Sequence, residues 1–237
     1  MLVPAMTHEE VTAQVKMEYC KIRETTLLRL GAEYDRERRK FRINNEATYP
    51  KEYEIKTVGK NNWIIFLDKS PAVKKYTGTE SLSYLCVIYY YSNKGLMVYW
   101  PTDKVLAGFT SHFFKRYNER LCLNLSNPIE IVKAFFRKGM YSTLKIFERN
   151  KRPHLIAFGV DGIRFGEIMY DFSYVEWKTF VNREMAFRQQ KELEHDLNQE
   201  LMQELRIAKR PETYNPIAIR SLTNRVVALP LVSKYAV

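Results

Sequence analysis

The sequence predicts an α+β fold: antiparallel sheet strands over residues 49–100 and 143–181, a central pair of short helices between them, and long amino- and carboxy-terminal helices packed together. Three observations lead there. β-Branched and aromatic runs broken by turn residues fill both sheet segments. The dipeptide Asn127-Pro128 opens a helix between them. Charged stretches with regularly spaced apolar residues occupy both ends. The same textures divide the chain into a helical extension over 1–42, an α+β core over 43–181, a long helix over 182–210, and a tail or edge strand over 211–237.

Thr7 with Glu10 is a capping box, so the first helix starts there, with Val11, Val15, Ile22 and the group Leu27, Leu28, Leu30 as its apolar side. It continues toward Arg42, with Gly31 as a place to bend or end it. YEIKTV, the turn GKNN and WIIFLD form one hairpin, and SYLCVIYYY, the turn SNKG and LMVYW a second. A short helix spans 110–123 and another follows Asn127, closing on Gly139. LKIFER, HLIAFGV, IRFGEIMYDF and VEWKTFV then alternate apolar and polar residues as an antiparallel meander, with Asp161-Gly162 as its strongest turn. In the last helix Met185, Leu193, Leu197, Leu201 and Leu205 fall at multiples of four, and Pro211 stops it. That stripe packs either on the first helix or on a second copy in a homodimer.

The chain has 237 residues, 46% of them apolar and 14% aromatic, which excludes an intrinsically disordered protein. No apolar run approaches the roughly 18 residues a spanning helix needs, and no signal peptide is read, so the expectation is no membrane contact and a cytoplasmic location. Cys20, Cys86 and Cys122 are odd in number and far apart, which disfavours a disulfide framework and a structural zinc site. His8, His112, His154 and His195 show no metal-binding spacing, so neither metal nor cofactor is expected. The formal charge is +11, and +7 of it lies in residues 43–181. Such a field favours nucleic acid or another polyanion as partner, although it is equally the charge of a merely soluble surface.

Most of the chemistry sits in SHFFKRYNERL, residues 111–121. On a helix, His112, Arg116, Glu119 and Arg120 fall within an arc of about 100°, with Phe113, Phe114, Tyr117 and Leu121 on the other side. A histidine titrates near neutrality, and guanidinium forks match phosphate oxygens, so this face suits proton transfer and phosphate clamping. It is also the composition of an ordinary solvated helix face. Lys115, Arg164 and the basic turn with Arg149, Lys151 and Arg152 are further candidates for substrate phosphates, the turn being equally readable as solvated. Tyr89, Tyr90, Tyr91, Tyr99 and Trp100 could stack on bases or fill a core.

Taken with Pro128, Glu130, Ile131 and Ala134 on the second helix, the hairpin LIAFGVDGIRFGEI and the closing Thr179, Phe180 and Val181, this arrangement resembles the small RelE/barnase-like toxin nucleases over about residues 109–182. The resemblance implies a metal-independent ribonuclease. His112, Arg116, Glu119 and Arg120 would act with Thr179 from the sheet, and the ribose 2′-hydroxyl would attack the adjacent phosphate. A non-catalytic interaction protein, assembling through its long helices, is the alternative.

Overall fold

The structure, a computed structural model, describes residues 1–32, 51–69, 82–102, 105–138, 142–149, 152–170 and 173–186, with the single positions 192, 195, 196 and 199. Helix α1 (His8–Ile22) runs on through a π-helical turn (Arg23–Leu27) to residue 32. Strands β1 (Lys51–Lys56), β2 (Asn62–Lys69), β3 (Leu82–Ser92), β4 (Gly95–Pro101) and β5 (Leu106–Phe109) follow. Then come helices α2 (Ser111–Arg120) and α3 (Pro128–Arg137), and strands β6 (Ser142–Arg149), β7 (Arg152–Gly159), β8 (Gly162–Met169) and β9 (Tyr174–Asn182).

All nine strands belong to one sheet, ordered β1-β2-β3-β4-β5-β9-β8-β7-β6. This corrects the expected architecture of sheet segments around a helix pair with two long terminal helices packed together. The described residues hold three helices, of which only α1, 25 residues with its extension, is long. Of the helix expected over 182–210, Asn182 instead closes β9 and residues 183–186 turn, positions 192, 195, 196 and 199 are helical and the rest lies outside the described residues, as does the whole tail over 211–237. No helix among the described residues is long and apolar enough to cross a membrane. The chain divides into two compact units, Met1–Leu106 and Ala107–Val237.

In the first unit the capping box forms as its sequence requires: the Thr7 hydroxyl accepts from the Glu10 amide at 3.3 Å, and the Glu10 carboxylate from the Thr7 amide at 2.7 Å. The buried row along the helix is Val11, Val15, Glu18, Ile22, Leu27 and Leu30. Its step from Ile22 to Leu27 is one residue more than an α-helix places on one face, and the π turn absorbs the extra residue. Glu18, only 5% exposed, is the polar member of that row. Its carboxylate accepts from Gln14 Nε2 at 2.9 Å, Asn61 Nδ2 at 2.7 Å, Trp63 Nε1 at 2.9 Å and Thr57 Oγ1 at 3.0 Å. Asn61 Oδ1 in turn accepts from the Leu2 amide at 2.6 Å. One carboxylate therefore ties the helix to the β1–β2 turn and to β2.

The turn must come close to reach it. A methyl group on Gly59 would collide with Glu18 Oε1. Gly59→Ala is expected to cost about 1–3 kcal/mol through displacement of the carboxylate, read as a fall of several degrees in thermal midpoint. An unchanged midpoint would show that the turn yields instead. Trp63 and Ile65 of β2 lie opposite Ile55 and Tyr53 of β1 and opposite Ile88 and Cys86 of β3, so these side chains share one face of the sheet. Tyr99 joins that core at 5% exposure, stacked on Tyr90 at 6.1 Å, whereas Tyr84 and Tyr91 are exposed on opposite faces. The tyrosines do not make a continuous stacking platform.

In the second unit Thr110 caps α2 by accepting from the Phe113 amide, and Asn127 caps α3 with Pro128 in its first turn. Phe109, Phe113, Phe114, Phe135 and Phe136 pack at 4.9–5.9 Å between these helices and the sheet, edge to face except for the tilted pair Phe109–Phe114. Tyr117 meets Phe180 of β9 at 4.9 Å. The register decides which sheet residues face the helices. Arg164 lies opposite Phe180, and Phe165 opposite Thr179; a bulge then brings Gly166 opposite Trp177. Arg164, Trp177 and Phe180 therefore point toward α2 and α3. Ile163, Phe165 and Thr179 point the other way, where Ile156, Phe158, Ile163 and Ala186 form a second apolar cluster.

Candidate functional site

The outward face of α2 carries the predicted cluster in part. His112 is exposed, as are the side chains of Lys115 at 73% and Arg116 at 44%. Both cations share Glu119: Arg116 Nη1 lies 3.1 Å from Oε2 and Lys115 Nζ 4.0 Å from Oε1. Arg120 turns inward instead. Its guanidinium donates to the Phe180 carbonyl, and Asn182 Nδ2 returns a hydrogen bond to the Arg120 carbonyl at 2.9 Å. Arg120 thus pins α2 to β9, a structural engagement in place of the open position on the helix face at which phosphate contact was expected.

On α3 the pattern repeats. Glu130 is shared by Lys133 at 2.8 Å and Arg137 at 3.8 Å. The hydrogen bond from Lys133 holds the Glu130 carboxyl below its ordinary range. Across residues 110–138 six basic side chains stand against two acidic ones, and Lys115, Arg116, Arg137 and Lys138 reach solvent.

Two further expectations are corrected by the sheet. Thr179 faces away from α2, so it is not brought together with His112; the bulge after Phe165 sets that direction. Arg164 is 2% exposed and is no surface contact. Its guanidinium lies over the rings of Phe135 at 5.6 Å and Trp177 at 5.8 Å. Burial pulls its pKa down to about 10 against the opposing pull of Asp161. Asp161 Oδ2 accepts from the buried Tyr117 hydroxyl at 2.7 Å and lies 3.9 Å from Lys138 Nζ. Burial, then the charge of Asp161, pushes the Tyr117 hydroxyl well above its usual titration range, so it stays a donor. Arg152 is exposed at the start of β7, opposite Arg149 in the ladder, and Lys151 lies outside the described residues.

A row of chemistry-bearing side chains that sequence reading missed crosses the far face of the meander. Phe147, His154, Glu167 and Glu176 lie directly opposite one another on β6, β7, β8 and β9. Phe147 and His154 stack at 5.4 Å. Lys178 Nζ sits 2.5 Å from Glu176 Oε1 and 3.6 Å from Glu167 Oε2. Although burial lowers the Lys178 pKa, its bonds to these two carboxylates raise it above the ordinary value overall. The ammonium thereby occupies the place where the two carboxylates would hold a cation. Among the described residues no group of three or more His, Cys, Asp or Glu is placed to bind a metal ion. Register alone could have found the row, since it depends on which residues of four strands stand side by side. Comparison with protein-family models, with curated proteins and with solved structures finds no match to this chain.

Proposed function

We propose that the protein binds RNA through the outward faces of α2 and the end of α3, as a binder without turnover. The supporting observation is the sharing of carboxylates: Lys115 and Arg116 have one glutamate between them, so the exposed face of α2 keeps positive charge after its internal ion pairs are formed. Phosphates that replace the counterions of such cations gain the free energy of counterion release. Cleavage would need an acid and a base at one phosphate. Against it stand the opposite direction of Thr179, the engagement of Arg120 with the Phe180 carbonyl and the burial of Arg164.

Fluorescence anisotropy with a labelled single-stranded RNA tests the reading. Replacing Lys115 and Arg116 together by glutamate is expected to weaken binding more than about tenfold at 0.1 M salt, and to flatten the log–log salt dependence by about 1.4. Equal binding by the variant would remove this face from the interface. The exposure of His112 keeps a ribonuclease as the second reading: cleavage without added metal that disappears in His112→Ala would replace binding by catalysis.

A further inference from the structure

His112, Lys115 and Arg116 stand at positions i, i+3 and i+4 of a segment that is helical from Ser111 to Arg120, so their side chains are neighbours on one face of α2. All three reach solvent. Glu119, the acidic residue of this helix, is taken up by Lys115 and Arg116. The charged groups on the elements around α2 are engaged elsewhere: Glu130 of α3 with Lys133 and Arg137, Glu176 and Lys178 of β9 with each other, and Asp161 of the β7–β8 turn with the Tyr117 hydroxyl and Lys138. Arg120 is spent on the Phe180 carbonyl. Among the described residues His112 itself makes no hydrogen bond, ion pair or ring contact. With no carboxylate held beside it, a proton on its ring adds a whole charge to the face. Histidine is the side chain whose charge ordinarily changes between pH 7.5 and pH 5.5, whereas lysine, arginine and the carboxylates keep theirs.

We infer that His112 makes RNA binding by the α2 face pH-dependent: once protonated it is a third cation beside Lys115 and Arg116 and takes a further phosphate contact. This rests on the RNA-binding reading and names how that same face is regulated. Phosphate favours the charged imidazole over the neutral one, so affinity rises as pH falls. Bound RNA favours protonation in return, so binding takes up protons.

Fluorescence anisotropy with a labelled 2′-O-methyl oligouridine tests this. Its bases do not titrate in that range, and its methylated 2′-oxygens cannot attack phosphate, so binding is read apart from cleavage. The native protein is expected to bind about fivefold more tightly at pH 5.5 than at pH 7.5 in 0.1 M salt, with a salt dependence steeper by about 0.7 at the lower pH. His112→Gln is expected to lose most of that gain. His112→Lys, charged at both pH values, is expected to bind at pH 7.5 as the native protein does at pH 5.5. If the native protein binds equally at the two pH values, or His112→Gln keeps the full gain, the inference is wrong while the RNA reading stands. Absence of binding by the native protein at both pH values overturns both.

Discussion

Asp161→Asn is expected to destabilise the second unit by about 3 kcal/mol, the scale on which loss of a countercharge beside a buried cation is penalised. Asparagine preserves the turn and can still accept from the Tyr117 hydroxyl, so the substitution isolates the charge. Arg164, 2% exposed against Phe135 and Trp177, would then lack the carboxylate that offsets its burial. Denaturation followed by tryptophan fluorescence reads the effect, because Trp177 lies against the affected guanidinium. The companion variant, Arg164→Met added to Asp161→Asn, is expected to be more stable than Asp161→Asn alone, since it removes the buried cation whose opposing charge from Asp161 was taken away. A double variant less stable than the single one would mean that Arg164 acts by its packing and not by its charge.

Glu18 produces the second large effect, and it depends on pH. Burial alone would raise its pKa, but the hydrogen bonds from Trp63, Asn61, Gln14 and Thr57 outweigh burial and hold the carboxyl below its ordinary value. A depressed carboxyl stabilises the fold fully above its unfolded value of about 4.3, and that stabilisation is lost as pH falls through the folded value. At pH 7 Glu18→Gln is expected to cost about 2–4 kcal/mol, because an amide N–H would face donors that now meet an anion. Below pH 4 the difference between native and variant should shrink, since the unfolded chain then binds a proton at Glu18 more readily than the folded protein does, which favours unfolding of the native protein and not of the variant. Denaturation midpoints at pH 7 and pH 3 measure this; a gap that stays constant between them would remove Glu18 as the source.

The elements most legible in the sequence were those whose signals are local. Thr7 with Glu10, Asn127 with Pro128, and the Asp161-Gly162 turn each act within a few residues, and each forms as read. β5 escaped because its four residues, LAGF, are too few to show a period, and without it nothing indicated that the strands belong to one sheet. Glu18 carried a signal that went unused: it stands between Val15 and Ile22 on the apolar side of a helix, where a carboxylate must be met by donors. Arg164 carried none. Flanked on its face by Gly162 and Gly166, it reads as a solvent position, yet Gly166 leaves the space that the Trp177 ring fills, and Gly159 on the neighbouring strand leaves room for its guanidinium. The α2 cluster was legible as a helix face. That Arg120 would turn to Phe180 and Thr179 away from both depends on a bulge in β9, and alternation counted along one strand does not reveal it.

The π turn in α1 places Leu27 and Leu30 on the same buried side as Val11 and Val15 by carrying one residue more than that side requires. Seen as a matter of descent, this is slack in the reading frame of the helix. A line of ancestors could lose a single position between Arg23 and Leu27 and pass to a continuous α-helix, with every inward residue on either side of the deletion still inward. The segment is thus a place where length can vary while side-chain register does not. A deletion elsewhere in the same helix would rotate one half of its buried row toward solvent.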